Sequence, residues 1–354
     1  MPSIGEHSRR EILTQGAAWA SAMAGVQAKD ALIRSLFDKN RGRDVLFAAC
    51  GSPYFLGLSA AAHTEASLAV RAQSVPSSEI IFYPETMLPP GPPPLTIALS
   101  RSGETSETIA AVRALLARGG DVLAIGCDGD STILKMATVS VEVSDGREQS
   151  VAQTRSFSGM LLAAHATIAL AAGDRAQLAA LSRLPALADA YVNRVFAATE
   201  NIIGAHRIDS FFFLGSGSRY GLACEAMLKM KEMSLSHAEA FHFMEFRHGP
   251  MSMVDEHTLV VGLVSEQAAQ AELAVLKDMS ALGGQTLAIG ESAAALAPGA
   301  DSVIAFESGL PPSAHDLLYM PPLQSLAFHR AMSKELDCDN PRNLVAFVTL
   351  PDIE

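Results

Sequence analysis

Residues 95–109 read LTIALSRSGETSETI, an apolar run that ends at Ser100 and turns at once into hydroxyl residues around one glycine. A short apolar run bounded by a glycine turn predicts a buried strand, and TIAAVRALLARGG, from residue 108 onwards, predicts a helix. The segment from Ser100 to Ser106 therefore joins the carboxyl end of a strand to the amino end of a helix. Open α/β sheets bind their ligands at this edge.

The hydroxyl cluster in this segment predicts an anion site. The first turn of a helix presents unpaired N–H groups and the positive end of the helix dipole. Gly103 lets the backbone come close to a ligand, while Ser100, Ser102 and Thr105 can donate O–H bonds to phosphate oxygens. The alternative is that Thr105 or Ser106 only caps the helix, but capping needs one hydroxyl and four are present. The motif is not a nucleotide P-loop, because G-x-x-x-x-G-K-[ST] is absent.

Other apolar runs alternate with Ala/Leu-rich stretches, and this alternation predicts parallel sheets covered by helices on both faces. Residues 157–204 predict helix throughout, and the Pro-rich segment 89–94 predicts a rigid surface connection. The predicted strands are DVLFAAC, EIIFY, LTIALS, DVLAIG and VSVEV within residues 44–143, then SFFFLG (210–215), TLVVGLV (258–264), TLAIG (286–290) and SVIAF (302–306).

The second series of strands looks like a copy of the first. Superposing FAACGSPYFLGLSAA (47–61) on FLGSGSRYGLACEAM (213–227) matches three pairs at one constant offset, namely Gly51 with Gly217, Ser52 with Ser218 and Tyr54 with Tyr220. Strand-glycine-helix turns are common, but the paired Gly-Ser-x-Tyr favours a duplication. We therefore predict two α/β domains of similar topology.

Composition narrows the class of protein. The chain has 354 residues, 49% of them hydrophobic, which gives room for two or three domains. A net charge of −12, without a long basic block, argues against nucleic acid as a partner. The four cysteines are scattered, so neither a zinc site nor a disulfide framework is indicated. No signal peptide or membrane-spanning run is recognisable, and we expect a cytoplasmic protein without metal or cofactor.

The stretch EAMLKMKEMS carries three charged groups on one side of a predicted helix. Glu225, Lys229 and Glu232 follow at steps of four and three, whereas Lys231 points elsewhere. A solvated face with an ion pair is the ordinary interpretation. The surrounding apolar residues leave little room for a face exposed to water, so the alternative is a buried charged group around a ligand, with a glutamate suited to general-base catalysis.

Together these segments resemble the sugar isomerase (SIS) domain family. SRSGETSET is similar to its phosphosugar signature, and the tandem arrangement is similar to the isomerase half of glucosamine-6-phosphate synthase. The likeness covers nearly the whole chain and continues in CGSPY (50–54), EQSVAQTRSF (148–157), CEAMLKMKEMSLSHAEAFHFMEFRHGPM (224–251) and PPLQSLAFHRAMSKELDCDNPRNLVAFVTL (321–350).

The resemblance implies an α/β fold with two tandem SIS domains, each a flavodoxin-like parallel sheet with helices on both faces. The expected organisation is an N-terminal helical segment (1–40), a first SIS domain (41–160), a helical connection (161–204), a second SIS domain (205–320), and a C-terminal helix and tail (321–354) that closes the active site.

The resemblance also implies roles for individual residues. Ser100, Ser102 and Thr105, the backbone of Arg101, and Gly51 and Ser52 would hold the sugar phosphate, and the backbone near Val151 would line the site. Glu232 would move a proton between C1 and C2 of the open-chain sugar, supported by Lys229 and Glu225. His248 would open the sugar ring from the neighbouring subunit, which implies a homodimer with shared active sites.

Departures from the family pattern bear on the chemistry. The synthase has a lysine near its C-terminus, in a sequence like PRNLAKSV, that forms an imine with fructose 6-phosphate, whereas PRNLVAFV places Ala346 there. Pro53 stands where the family usually has a serine near the phosphate. We also expect no glutamine-dependent synthesis by this chain alone, since no glutaminase domain precedes residue 1.

These observations predict an aminosugar-phosphate deaminase and isomerase, which converts glucosamine 6-phosphate to fructose 6-phosphate and ammonia. A deglycase acting on an amino acid joined to C1 of fructose 6-phosphate could use the same base and acid. A plain aldose–ketose phosphate isomerase is a third possibility. A non-catalytic sugar-phosphate sensor is a fourth, against which the retained Glu232 and His248 argue.

Overall fold

Two parallel five-stranded sheets, each surrounded by helices, form the framework of the chain, as the alternation of apolar runs predicts. The structure is a computed structural model that describes residues 4–88 and 90–350. Its strands are β1 Val45–Ala49, β2 Ala72–Pro76, β3 Leu95–Ser100, β4 Val122–Gly126, β5 Val139–Glu142, β6 Ser210–Leu214, β7 His237–Phe241, β8 Thr258–Leu263, β9 Gln285–Gly290 and β10 Ser302–Ala305.

The α-helices of the described residues connect and flank these strands. Residues 157–204 fall almost entirely in three of them, as predicted. The helices are α1 Glu6–Leu13, α2 Gln15–Ala28, α3 Asp30–Lys39, α4 Ser52–Leu68, α5 Ser77–Phe82, α6 Pro84–Met87, α7 Ser106–Ala117, α8 Thr132–Met136, α9 Arg155–Ala172, α10 Arg175–Leu181, α11 Leu184–Ala205, α12 Arg219–Ser234, α13 Phe243–Phe246, α14 Ala269–Ala281, α15 Ala293–Leu296 and α16 Asp316–Ser333.

The two sheets have the same topology. The first has the strand order β2-β1-β3-β4-β5. The second, read from its β7 edge, has the order β7-β6-β8-β9-β10, so the corresponding strands follow one another in the same way. All pairs are parallel, in the flavodoxin-like arrangement, whose ligand site lies where the strand order reverses. The predicted duplication of an α/β unit is confirmed at the level of strand order.

The sequence prediction was wrong for the second strand of the first sheet. Residues 79–83, EIIFY, belong to α5 and the turn after it, and the strand is β2, AQSVP, immediately before. Its counterpart β7 was not predicted either. Both lie at a sheet edge, with alternating or partial burial and one neighbouring strand, so neither shows the continuous apolar run of a central strand.

Alternate residues of the central strands face opposite layers of helix. Leu46 of β1 packs in a core cluster with Val112 and Leu115 of α7, whereas the neighbouring Phe47 faces α4, where Gly57 leaves space for it. This alternation is the period of two that a pleated strand imposes. Helices therefore cover both faces of the first sheet.

The second sheet is covered in the same way. Phe212 packs in a core cluster with Val275 and Met279 of α14, while the ring of Phe211 lies under the guanidinium of Arg330, on α16, at 6.0 Å. Both phenylalanines are buried. Aromatic side chains of β6 thus contribute to the packing on each side of the sheet.

Contacts between residues divide the described chain into two units. Unit 2 contains the first sheet and unit 1 the second. Among the described residues, unit 1 is drawn from 4–13, 149–154 and 187–344, and unit 2 from 14–88, 90–148, 155–186 and 345–350. In residues 4–88 and 90–350, none of the helices has the length and apolarity needed to cross a membrane.

The duplicated helices α4 and α12 begin and end alike. Gly51 and Gly217, which precede them, both have φ of +61°, and the left-handed residues Ala69 and Leu235 end them; both pairs lie 166 positions apart. In the preceding strands the separation is 165 positions instead, because Val45 of β1 pairs with the first residue of β3 and Ser210 of β6 pairs with the first residue of β8. The constant offset predicted from the sequence therefore holds over the helices, and the loop after β6 is one residue longer.

Candidate active site

The hydroxyl-rich loop between β3 and α7, residues 101–105, is fixed by its neighbours. The Arg101 carbonyl accepts a hydrogen bond from Cys127 N at 3.1 Å, and the Gly103 carbonyl accepts one from Ile133 N at 3.1 Å. The Glu104 carboxylate accepts from Thr132 N at 2.7 Å and from its hydroxyl at 2.8 Å. These four hydrogen bonds tie the loop to residues 127–133.

Glycine is required at position 103 for two reasons. Its φ is +67°, which disfavours other residues, and a Cβ there would lie 2.0 Å from the Ser131 hydroxyl. Its N–H donates to the Ser100 hydroxyl at 3.0 Å, and Glu104 N donates to the Ser102 hydroxyl at 3.2 Å. Both serine oxygens accept these bonds, so each keeps its own proton to donate to an anion.

The capping interpretation of Thr105 is wrong. Thr105 stands at the N-cap position of α7, but its hydroxyl makes no capping bond. The Ser106 hydroxyl donates to the Val348 carbonyl at 3.2 Å and accepts from Leu350 N at 2.8 Å. The C-terminal tail, residues 345–350, therefore runs beside the start of α7, while Thr105 keeps its hydroxyl for other partners.

Arg101 and Glu148 form an ion pair next to the loop, which sequence reasoning missed. The Arg101 guanidinium lies 3.6 Å from the Glu148 carboxylate, and their side chains are 10% and 0% exposed. The guanidinium also donates to the Ala346 carbonyl at 2.8 Å. Glu148 opens the segment EQSVAQTRSF, so its position within the family-like motif was the available signal.

Gly51 and Ser52 lie at the same edge of the first sheet as the hydroxyl loop. They follow β1, which pairs with β3 at the point where the strand order reverses. The Gly51 carbonyl accepts from Tyr54 N at 2.9 Å, which starts α4, and Ser52 is 4% exposed. Unit 2 thus brings together the predicted phosphate residues Gly51, Ser52, Ser100, Arg101, Ser102 and Thr105 at one sheet edge.

Unit 1 brings together the three charged residues of α12. The Lys229 ammonium donates a hydrogen bond to the Glu232 carboxylate and lies 3.4 Å from the Glu225 carboxylate. The side chains of Glu225, Lys229 and Glu232 are 0%, 1% and 19% exposed. Lys231, on another side of the helix, is exposed. The interpretation as a solvated face is therefore wrong.

A buried group of this kind is expensive to maintain. Removing carboxylate and ammonium groups from water costs several kcal/mol, about as much as a good pairing returns. Such groups are found where their charge has a use, and a partly exposed carboxylate beside a buried ammonium is suited to proton transfer. The helix places Glu232, the most accessible of the three, where a ligand can reach it.

The remaining predicted residues also belong to unit 1. His248 follows α13, is exposed, and its side chain forms no hydrogen bond or ion pair with the α12 group among the described residues. Val151 is half-buried, and its N–H donates to the Asp339 carbonyl at 2.9 Å. Both residues thus belong to unit 1, whereas the hydroxyl loop belongs to unit 2.

Comparison with known families assigns the two stretches of chain that contain the sheets to one domain family. The model of the SIS domain matches residues 39–170 and 202–314, one stretch for each sheet. The chain belongs to the SIS domain family, and it contains this domain twice.

Relatives of known sequence agree with this assignment. The chain is 30% identical over 344 residues to a glutamine–fructose-6-phosphate aminotransferase (isomerizing) of Zymomonas mobilis, which covers 93% of this chain and 56% of that protein. The chain spans about half the length of the curated relatives it matches.

Solved structures with the same fold include two sugar-phosphate enzymes. One is a glucosamine-6-phosphate deaminase from Thermotoga maritima, with a TM-score of 0.74, 25% identity, and coverage of 93% of this chain and 100% of the other. Another is a tagatose-6-phosphate ketose/aldose isomerase from Escherichia coli, with a TM-score of 0.82, 22% identity and 96% coverage of both chains. The second likeness concerns the fold.

Proposed function

We propose that this protein is a phosphosugar isomerase that acts as an aminosugar-phosphate deaminase, converting glucosamine 6-phosphate and water to fructose 6-phosphate and ammonia. The observation that carries the proposal is the absence of the synthase-type lysine at position 346 from a chain that retains the phosphate loop and the charged group of α12. The similarity to the Thermotoga maritima deaminase supports it.

In this proposal the loop of residues 101–105 binds the phosphate. Its fixed backbone, the start of α7 and the protons of Ser100, Ser102 and Thr105 supply donors without a lysine. The Arg101 side chain already has Glu148 and Ala346 as partners, so we assign its backbone to the phosphate and its side chain to holding the tail.

Glu232 transfers the proton in the proposed reaction. Ring opening, assigned to His248, gives an aldehyde at C1 and an amine at C2. Glu232 removes the C2 proton and returns it to C1 while the aldehyde oxygen gains the proton that the nitrogen loses, which leaves a hydroxyl at C1 and an imine at C2. Water then adds to C2 and ammonia leaves. Lys229 holds the Glu232 carboxylate by a hydrogen bond, and Glu225 accompanies Lys229.

Ala346 favours release of the amine over its capture. Its carbonyl accepts from Arg101 in the phosphate loop. A lysine at this position would therefore place an amine next to the loop, as needed to form an imine with a ketose. An aminosugar already carries its nitrogen and needs no such group. Substituting Ala346→Lys should let borohydride trap an adduct with fructose 6-phosphate, while the neighbouring Val345→Lys and the unmodified protein should give none. Trapping by the unmodified protein would contradict this route.

The experiment that tests the activity is a substrate panel. Purified protein is incubated with glucosamine 6-phosphate, fructosamine 6-phosphates and tagatose 6-phosphate, while ammonia, free amino acid and ketose phosphate are measured. Ammonia with fructose 6-phosphate from glucosamine 6-phosphate supports the proposal. Amino acid release would instead indicate a deglycase, isomerisation without amine release a ketose–aldose isomerase, and binding without turnover a sensor.

We further propose a homodimer in which His248 serves the partner's site. The exposure of His248 and the lack of a bond to the α12 group in its own chain support this assignment. Mixing inactive Glu232→Gln and His248→Ala proteins, with subunit exchange followed by mass, should regenerate activity from sites with both native residues. No recovery after proven exchange would place His248 in its own chain's site or outside catalysis.

A further inference from the structure

The second sheet carries a loop that corresponds residue for residue to the phosphate loop. Strands β3 and β8 each have six residues and the same register to their neighbours. Helices α7 and α14 each begin after five further residues. Residues 264–268, which we name the second loop, therefore occupy in unit 1 the place that residues 101–105 occupy in unit 2.

The second loop has lost most of the groups that suit it to phosphate. A leucine and an alanine replace two of the three hydroxyls, a glutamate replaces the glycine, and one serine remains. One turn into the helix, a glutamate stands where α7 has a half-buried isoleucine that packs on the core. The corresponding pairs are Ser100 and Leu263, Ser102 and Ser265, Gly103 and Glu266, Thr105 and Ala268, and Ile109 and Glu272.

The carboxylate of Glu272 takes up the donors of the second loop. It accepts a hydrogen bond from Ser265 N at 2.6 Å and another from the Ser265 hydroxyl at 3.0 Å, both through one oxygen. The Ser265 oxygen in turn accepts from Ala268 N at 3.0 Å. Glu272 is 1% exposed, and its second oxygen has no hydrogen-bond partner among the described residues.

A carboxylate in this position has the contacts of a bound anion. Backbone N–H and hydroxyl donors at the start of a helix are the groups that recognise oxyanions, and a buried carboxylate without such donors would be costly. Burial raises the pKa of Glu272, and the bonds from Ser265 and the charge of Arg219 oppose that rise. In unit 2 the corresponding residue, Ile109, has no group that could occupy the loop.

We propose that the chain fills its own second loop with the Glu272 carboxylate, so that each chain binds one phosphate, in unit 2, and that removing this side chain opens a site for a small oxyanion in unit 1. Acetate reproduces the missing group most closely, and inorganic phosphate is the larger oxyanion that the first loop is proposed to bind.

Glu272→Ala, with Glu272→Gln as its matched control, tests the proposal. Glu272→Ala leaves a cavity lined by donors, whereas glutamine fills the same space without charge. Acetate, compared with chloride at equal ionic strength, should raise the melting temperature of Glu272→Ala by about 3 °C when it is tenfold above its dissociation constant. Neither the native protein nor Glu272→Gln should respond in this way. Equal responses of the three proteins would overturn the proposal.

A reciprocal substitution keeps the proposal testable if Glu272→Ala does not fold. Ile109→Glu places a carboxylate at the corresponding position of the first loop, and Ile109→Gln is the neutral control. Titration calorimetry should show one inorganic phosphate per chain for the native protein and Ile109→Gln, and at least tenfold weaker binding for Ile109→Glu. Unweakened binding by Ile109→Glu, or two phosphates per native chain, would overturn the proposal.

These outcomes are independent of the proposed deaminase activity. Acetate rescue of Glu272→Ala involves no sugar, so it can succeed in a protein that converts none of the sugars in the panel. Conversely, a deaminase with two phosphate sites would retain its proposed function and lose this inference.

Discussion

Helices α4 and α12 hold the same place in the two copies of the fold but carry different chemistry. Counted over the 166 positions that separate their ends, Glu225, Lys229 and Glu232 of α12 correspond to Ser59, His63 and Ala66 of α4. In α12 the three side chains form a buried charged group. In α4 the ring of His63 instead stacks on His165 of α9, with ring centroids 4.3 Å apart and an angle of 5° between the planes.

The loops after β3 and β8 show the opposite distribution. The loop in unit 2 keeps its hydroxyls and the glycine that its backbone requires, while the loop in unit 1 is closed by its own carboxylate. Each copy thus retains the chemistry that the other has lost. Because the topology of both sheets is identical, the fold does not determine how the two loops differ. Individual side chains determine it.

The largest expected effect comes from Glu232, which has no acidic counterpart in α4. Glutamine keeps its size and hydrogen bonding but cannot accept a proton, so Glu232→Gln should lower kcat by about 10²–10⁴-fold with KM little changed. Steady-state kinetics of the proposed deaminase reaction measure this loss. Glu239→Gln, an exposed glutamate of β7, is the control and should retain full activity. A drop of less than tenfold in Glu232→Gln would remove Glu232 from the role of base.

Ser102 and Ser265 are counterparts that should differ in their effect on binding. If Ser102 binds the phosphate as proposed, Ser102→Ala removes a bond to a charged group, worth about 1.5–3 kcal/mol, and KM should rise by about 10–150-fold. Ser265→Ala should leave KM unchanged, although it removes the hydroxyl that donates to Glu272 and should lower the melting temperature, while the backbone bond from residue 265 remains. Equal increases of KM in both variants would mean that both loops contribute to substrate binding.

The His63–His165 pair should make the stability of unit 2 depend on pH. In unit 1 the position of His63 is occupied by Lys229, so the same dependence is not expected there. Burial, with the charge of His63 as a smaller cause, holds the pKa of His165 well below its usual 6.5. The unfolded chain therefore binds a proton that the folded chain does not, and stability falls as the pH falls through 6.5, by at most about 1.4 kcal/mol at pH 5.5 for one proton.

Urea unfolding at pH 7.5 and 5.5 measures this change. His165→Gln should make the free energy of unfolding differ less between the two pH values, by about that amount. His206→Gln, a change at an exposed histidine, should leave the difference as it is. An unchanged difference in His165→Gln would show that other groups cause the loss of stability at low pH.

The smallest expected effect is at Ser106, whose counterpart is Ala269. Ser106→Ala removes two side-chain bonds to the tail, at Val348 and Leu350, and leaves the backbone bond from its own N–H. We expect a loss of about 1 kcal/mol in tail docking. Hydrogen exchange at residues 345–350 should become about five times faster, because 1.4 kcal/mol is a factor of ten. Ser182→Ala, an exposed serine of unit 2, should leave the exchange of the tail as it is.

Much of this architecture could be predicted from the sequence because its signals are local. The central strands are continuous apolar runs, and the hydroxyl cluster falls between one such run and a helix. The spacing of Glu225, Lys229 and Glu232 puts them on one side of a helix whatever else the chain does. The edge strands β2 and β7 were not predicted because partial exposure leaves them without such a run. The mostly apolar residues 79–83 proved to be largely helical because so short a run fits either structure.

Partners far apart in the sequence were decided by the tertiary structure alone. Nothing local connects Ser106 with Val348, or Arg101 with Glu148, because these pairs meet only when the chain folds back on itself. The same holds for Glu272, whose acidic side chain on an amphipathic helix has the pattern of an exposed residue. The sequence by itself determined two α/β copies, one hydroxyl loop and one charged helix, since periodicity and composition act within a few turns of chain. Only the packed structure determined that this charged helix is buried and that the second loop is closed, since burial depends on what the rest of the chain places around a residue.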